Sequence, residues 1–360
     1  MKKICTVVGA RPQFIKLAVV SRVLRKKYQE VLIHTGQHYD YNMSDVFFDE
    51  MDIPHPDYNL GISGGSHGEM TGKMLIELEK VFVKEQPDMV LLFGDTNSTM
   101  AAALAAVKLH IPVCHVEAGN RLGTFENPEE INRIVTDHVS SIHLVCTASG
   151  VDFLKKEGFS DSITLVGDPM YDAFQYYSDR LDGSELKELK SFDESTVVLP
   201  EAFYYMTCHR QENTDTDEKL NQIFQAMEVL DAPTIYPVHP RNNERAARLV
   251  KKYSYHNIFL TKPVGYKASI SLVNHAKKIV TDSGGLQREA FFASKQCVTV
   301  FDYVGWPETM RGGCNRLAKP TKEDILKKLA APAEFDLSYQ PFGDGHSAEK
   351  IVRKIEEFLK

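Results

Sequence analysis

Met89-Val90-Leu91-Leu92-Phe93-Gly94-Asp95-Thr96-Asn97-Ser98 decides the fold class. Five apolar residues, too short a run for an ordinary helix, break at a glycine followed by polar residues. A helical pattern follows over Ser98–Lys108, and a second apolar run, Val113–Val116, ends at Glu117-Ala118-Gly119. Strand, polar turn, helix and strand make a βαβ unit, whose right-handed crossover implies a parallel sheet. In such a sheet the polar turns at the carboxyl ends of the strands are where ligands bind.

The same alternation extends in both directions. Upstream, Ile4–Val8 reads as a strand, Pro12–Lys26 as a helix, Glu30–His34 as a strand and Gly68–Lys84 as a helix. Downstream, a helix over Glu129–Val139 precedes short strands at Leu144–Thr147 and Ile163–Leu165. The polar stretch Tyr176–Ser195 reads as the region between domains, after which the pattern restarts. Strands are expected at Tyr204–Thr207, Thr234–Pro237, Ile258–Leu260, Lys278–Thr281 and Val298–Val300, with helices at Glu218–Leu230 and Glu244–Lys251. An amphipathic helix, Ala348–Leu359, ends the chain. With 360 residues, beyond the ~250–300 at which single cores stop growing, two domains are expected, 1–170 and 171–345.

Composition narrows the function. A hydrophobic fraction of 43% and a charged fraction of 25% are those of an ordinary globular protein. A net charge of −7 offers no general basic field, which argues against a nucleic-acid partner. The apolar N-terminal run breaks at Gly9-Ala10-Arg11-Pro12, too early for a signal peptide, and no stretch approaches the ~18 apolar residues of a membrane span. The six cysteines are scattered without a CxxC pair, as in a reduced cytoplasmic protein with no zinc site.

Polar residues then collect at strand ends. Arg11, beside a helix opened by Pro12 at its first position, makes an anion site or is an ordinary surface arginine. Asp95 is either an N-cap or a functional acid. Glu117 is followed by small residues that let a ligand approach, and Glu129, Asn132 and Arg133 share one helix face. Asp95, Glu117 and Glu129 can therefore meet at one sheet edge, where crowded carboxylates suit paired acid and base roles. In the second half His209-Arg210 ends a strand, and Thr281-Asp282-Ser283-Gly284-Gly285 opens a helix with N–H groups suited to a phosphate. Glu289, on that helix, can accept hydrogen bonds from a ribose. His38, His67 and His239 carry weaker signals, and nothing around them favours a metal.

Taken in order, these segments resemble the non-hydrolysing UDP-N-acetylglucosamine 2-epimerases over essentially the whole chain. The likeness rests on Gly9–Lys16, Thr35-Gly36-Gln37-His38, Gly94-Asp95-Thr96, His115–Gly119, Pro128–Arg133, His209–Asn213 and Ser283–Glu289. The resemblance implies two Rossmann-like domains in a GT-B-like arrangement, with the ligand in the interdomain cleft and helix 346–360 returning to the first domain. It also implies a homodimer in the cytoplasm that supplies a sugar nucleotide for surface polysaccharide, with no metal or redox cofactor. The reaction is anti elimination of UDP followed by re-addition with C2 inverted. Carried over by motif, Asp95, Glu117 and Glu129 take the acid and base roles. His209 joins the catalytic set by holding the leaving diphosphate with Arg11, Ser283, Gly284 and Gly285. Glu289 holds the ribose, and Lys16 and Arg133 support the sugar.

Four segments depart from the commonest family pattern. Gln13 stands in place of Glu, and the segment Asn120–Pro128 is about two residues short. Phe301-Asp302-Tyr303-Val304-Gly305-Trp306-Pro307-Glu308 lacks two arginines, and Gly61–His67 matches poorly the segment linked to allosteric substrate binding. Gly9–Lys16, Asn42–Asp49 and Gly167–Asp172 look closer to the branch acting on UDP-2,3-diacetamido-2,3-dideoxy-glucuronate. UDP-N-acetylglucosamine is the expected substrate, with that uronate as the alternative. A hydrolysing epimerase releasing free N-acetylmannosamine, a GT-B glycosyltransferase and a non-enzymatic nucleotide-sugar sensor are the competing readings.

Overall fold

The computed structural model describes residues 1–37, 47–187, 189–192 and 194–360, so His38 and residues 42–46 of the motifs above lie outside the described residues. The chain divides into two compact units, Met1–Gln175 with Gln340–Lys360, and Tyr176–Tyr339.

The first unit is built on a parallel sheet of β1 (Lys3–Val8), β2 (Gln29–His34), β3 (Tyr58–Asn59), β4 (Met89–Phe93), β5 (Val113–Ala118), β6 (Ile142–Val145) and β7 (Ile163–Leu165). Their spatial order is β3-β2-β1-β4-β5-β6-β7. All five residues of β4 are fully buried, which explains why this strand shows no polar alternation: both faces are covered by helices. Packed around the sheet are α1 (Arg11–Leu24), α2 (His67–Glu85), α3 (Asn97–Lys108), α4 (Pro128–Val139), α5 (Ala148–Lys156) and α6 (Pro169–Ser178). The buried alanines 101, 102, 103, 105 and 106 of α3 lie in one core with Val90 and Leu92 of β4 and with Met74 and Leu78 of α2. The C-terminal helix Ser347–Leu359 is tied to α6 by the Ala348 N–H, which donates to the buried Asp172 carboxylate at 2.8 Å.

The second unit has a parallel sheet of β8 (Tyr204–Thr207), β9 (Thr234–Pro237), β10 (Ile258–Thr261), β11 (Ile279–Thr281), β12 (Cys297–Thr299) and β13 (Asn315–Leu317), in the order β10-β9-β8-β11-β12-β13. It is accompanied by α7 (Gln211–Thr214), α8 (Asp217–Glu228), α9 (Asn243–Tyr253), α10 (Tyr266–His275), α11 (Gly284–Phe292) and α12 (Lys322–Ala330). Its core joins Tyr204 and Met206 of β8 to Leu220 and Phe224 of α8 and Ile325 of α12.

In each sheet the strand order reverses once, between β1 and β4 and between β8 and β11. Neighbouring connections leave such a point in opposite directions and open a crevice outside the carboxyl ends of the two strands.

Three sequence expectations are corrected. The stretch Tyr176–Ser195 belongs to the second unit: Tyr177 and Leu189 are buried, and Ser191 pairs with Thr261. Pro12 is the second helical residue, because α1 starts at Arg11; its missing N–H is still harmless there. Strand β6 runs two residues earlier than Leu144–Thr147, since Thr147 is the N-cap of α5, a helix the periodicity did not reveal.

Glycine is required at position 119. Its φ is +80°, and a Cβ there would lie 2.4 Å from the Gly150 carbonyl oxygen. Gly119→Ala should destabilise the fold by about 2 kcal/mol or more. Gly72, exposed within α2 with nothing near its would-be Cβ, should instead stabilise by about 0.5–1 kcal/mol when changed to Ala. Equilibrium urea unfolding of both variants checks the pair.

Candidate active site

At the first reversal point β1 runs into Gly9-Ala10-Arg11 and β4 into Gly94-Asp95. Gln13 joins the two turns: its Oε1 accepts from the Gly9 and Ala10 N–H groups at 2.7 and 3.0 Å. Its Nε2 donates to the Phe93 carbonyl at 2.7 Å and to the Thr99 hydroxyl at 2.9 Å. A glutamate would turn an acceptor toward that carbonyl, which accounts for the amide here. Arg11 lies half-buried at the start of α1, its guanidinium 4.5 Å from the centroid of the Phe47 ring.

Glu117 does not follow β5 but lies within it. Val116 pairs with Leu144 and Ala118 with Val145, so Glu117 is the extra residue of a bulge, with φ +71°. A non-glycine residue in this conformation is strained, and bulges re-aim side chains next to functional sites. The aim is toward α1: the Glu117 carboxylate forms a buried ion pair with Lys16. Lys16 Nζ also lies 3.5 Å from where a side chain at Gly94 would begin, so it stands between the Glu117 and Asp95 turns.

Asp95 is half-buried and pairs with Arg133 of α4. Arg133 is almost fully buried and bonds Glu130 at 2.6 Å. Burial alone would lower the affinity of Arg133 for its proton, but Asp95 and Glu130 outweigh it and raise that affinity. Asn132 donates to the Asp95 carbonyl at 2.9 Å. The adjacent residues 132 and 133 thus grip the Asp95 turn from the N-terminal half of α4.

Glu129 behaves differently from its neighbours. It is exposed in the first turn of α4, on the helix face it shares by i, i+3 and i+4 spacing with the buried Asn132 and Arg133. The carboxylate on the Arg133 side is Glu130, which also accepts from the Leu122 and Gly123 N–H groups at 2.9 Å and so shapes the shortened loop.

Beneath both turns lies Asp137, fully buried. Its Oδ1 is 2.6 Å from His115 Nδ1, and its Oδ2 accepts from the Gly119 N–H at 3.0 Å and faces Arg121 at 2.7 Å. Burial would raise the Asp137 carboxyl, but the charges and hydrogen bonds of His115 and Arg121 hold it down at about 2. Sequence reasoning missed Asp137. The signal was there in the spacing of Glu130, Arg133 and Asp137 on one face of α4.

At the second reversal point β8 ends before Cys208-His209-Arg210 and β11 before Asp282-Ser283. Asp282, fully buried, accepts from the His209 N–H at 2.9 Å and the Arg210 N–H at 2.8 Å, and pairs with His209 Nδ1 at 2.9 Å. Burial opposes its charge, but His209 and these N–H groups hold its carboxyl at about 2. Ser283 is the N-cap of α11, its hydroxyl accepting from the Leu286 N–H at 3.3 Å. That leaves Gly284 and Gly285 as the first two helical residues, whose N–H groups open a helix N-terminus suited to an anion. Arg210, a guanidinium over the Phe301 ring and bonded to the Asp282 carbonyl at 3.0 Å, braces this turn. Trp306 lies under the Arg288 guanidinium, 4.1 Å from it. Glu289 is buried on α11.

Among the described residues, Glu117, Cys146 and Asp168 bring one potential metal ligand each within 4.8 Å of one another, all buried. Lys16 already sets a positive charge against Glu117, so a cation there would face an ammonium group. His67 is exposed, with Nδ1 3.1 Å from the Asn97 amide nitrogen, and His239 caps Arg241.

Asp137 and Asp282 carry an acid-stability signature. Each has a folded value of about 2 against an ordinary 3.8, so its stabilisation is complete above 3.8 and is lost as pH falls through about 2. Urea unfolding of the wild type should weaken across that window, and Asp137→Asn should flatten part of the fall. An unchanged acid slope in the variant would contradict the assignment.

A family model described as UDP-N-acetylglucosamine 2-epimerase matches residues 22–356. A UDP-N-acetylglucosamine 2-epimerase homolog of Methanococcus maripaludis is 47% identical, over 98% of this chain and 99% of its own. The UDP-2,3-diacetamido-2,3-dideoxy-D-glucuronate 2-epimerase of Pseudomonas aeruginosa is 41% identical, over 99% of both chains. The crystal structure of Methanocaldococcus jannaschii UDP-GlcNAc 2-epimerase, in complex with UDP-GlcNAc and UDP, superposes with a TM-score of 0.88 at 38% identity, covering 99% of each chain. Two doubly wound units, matched along nearly their whole length by such relatives, make this chain a member of the UDP-N-acetylglucosamine 2-epimerase family.

Proposed function

We propose that the protein interconverts UDP-N-acetylglucosamine and UDP-N-acetylmannosamine without hydrolysis. The observation that carries this reading is the placement of Asp95 and Glu117 at adjacent strand ends, each against its own cation. A carboxylate takes the C2 proton as the C1–O bond to UDP breaks, leaving a 2-acetamidoglucal. UDP then re-adds at C1 while a proton arrives at C2 from the opposite face. Asp95, Glu117 and Glu129 divide the acid and base work, and Lys16 and Arg133 support the sugar end. Arg11, His209, Ser283 and the Gly284 and Gly285 N–H groups hold the diphosphate, where cations and dipoles favour the departing charge. Glu289 takes the ribose.

The shortened loop supports a neutral sugar. Its arginine, Arg121, is already engaged with Asp137 at 2.7 Å and with Glu157 at 2.7 Å, and Arg133 with Asp95 and Glu130. A C6 carboxylate needs a cation not so occupied. The uronate is the second reading, favoured by the similarity to the Pseudomonas aeruginosa enzyme. No helix among the described residues is long and apolar enough to cross a membrane. The six free, buried cysteines support a reducing, cytoplasmic setting. A homodimer is the assembly that the family resemblance implies.

Glu117→Gln and Asp95→Asn should each lower turnover at least ~10²-fold, the scale of a positioned acid or base, with UDP affinity nearly unchanged. His209→Asn should weaken UDP binding about tenfold, the loss of one charge-assisted hydrogen bond. Calorimetry with UDP and coupled turnover assays separate the two effects, and wild-type turnover in both carboxylate variants would refute the site.

Substrate choice is read from kcat/KM for the two UDP-sugars and from product analysis. UDP-N-acetylglucosamine should be preferred and the sugar should stay attached to UDP. A preference above about a hundredfold for the diacetamido-uronate would move the substrate to that branch, and free N-acetylmannosamine would make the enzyme hydrolysing.

A further inference from the structure

We propose that His115 and Asp137 are positioning residues that fix Asp95 and Glu117 relative to each other across one substrate carbon. The inference rests on the epimerase reading. Epimerisation at C2 needs proton removal from one face and proton delivery to the other, so the spacing of the two carboxylates matters more than the placement of either alone. A misplacement of about 1 Å can cost ~10²-fold in rate.

The geometry joins the two turns through a short chain of bonds. His115 lies on β5, two residues before Glu117, with both ring nitrogens facing acceptors: Asp137 Oδ1 at 2.6 Å and the Gly94 carbonyl at 2.7 Å. Gly94 is the residue before Asp95. Asp137 Oδ2 accepts from the N–H of Gly119, two residues after Glu117, at 3.0 Å. The Gly94 N–H in turn donates to the Val116 carbonyl at 3.0 Å, beside Glu117. The bulge at Glu117 interrupts the sheet ladder where register would otherwise hold the strand end, so Asp137 supplies the missing tie. The same helix reaches the Asp95 turn through Asn132 and Arg133, so α4 grips both acids. His115 and Asp137 are fully buried and act through the backbone of their neighbours.

The test uses His115→Gln and Asp137→Asn in the full-length enzyme, each assayed well below its own melting temperature and corrected for folded fraction by near-ultraviolet circular dichroism. Both should lower kcat 10- to 100-fold, with KM and UDP affinity within threefold of wild type. More tellingly, the ratio of epimerised UDP-sugar to released 2-acetamidoglucal and UDP should fall, because protonation on the second face is impaired after elimination. Simple destabilisation lowers both products together and leaves that ratio unchanged; this outcome, or a kcat equal to wild type in either folded variant, overturns the proposal. Should one variant fail to fold, the other decides. Inactivity of the wild type on both UDP-sugars would count against the epimerase reading instead, and is seen before any variant is made.

Discussion

A parallel strand covered by helices on both faces has only its ends left for chemistry, and this constraint governs the molecule. In β4 the covering is complete, with five residues and no exposed side chain. The polar groups that the first unit presents therefore gather where β1, β4 and β5 finish, and those of the second where β8 and β11 finish. In both units that place is also where strand order reverses, so connections part and leave a crevice. Two unrelated stretches of sequence thus obey one rule: apolar run, polar turn, helix.

The same burial makes charge expensive, and the structure answers by pairing. Isolated buried charges are strongly disfavoured, whereas paired and hydrogen-bonded ones are tolerated. Lys16 meets Glu117, Arg133 meets Asp95 and Glu130, Asp137 meets His115 and Arg121, and Asp282 meets His209. Compared with apolar residues of the same shape such pairs add little net stability, since each also loses hydration, although the fold favours the ionised form of Asp137 and Asp282 once they are buried. What they provide is orientation, because a paired group with every hydrogen bond satisfied has few other places to point. Glu117 shows the consequence most plainly: a strained backbone at φ +71° is maintained by a bulge, a lysine and the clamp beneath it.

Much of this was legible in the sequence. Two parallel α/β units follow from apolar runs ending in polar turns, and the order of motifs singled out the family. Periodicity failed where tertiary contacts override it. Strand β3 has two residues, and the start of α5 is marked by Thr147, whose side chain makes no capping bond. Glu129 and Glu130 are adjacent, and only the folded helix shows which of them turns toward Arg133. Asp282 sat inside a quoted motif without a role because its partners, His209 and Arg210, lie more than seventy positions away. Asp137 was missed for the same reason: its work is done through the backbone of residues brought near by strand pairing.

The central claim is that one carboxylate in this protein removes the C2 proton of a UDP-sugar and another delivers a solvent-derived proton to the opposite face of the same carbon. Proton NMR of UDP-N-acetylglucosamine incubated with the wild-type protein in D₂O tests it directly. The account predicts loss of the C2 proton signal as deuterium enters, together with growth of UDP-N-acetylmannosamine in which UDP remains attached. Binding of UDP with a C2 proton that persists in both candidate UDP-sugars would contradict it.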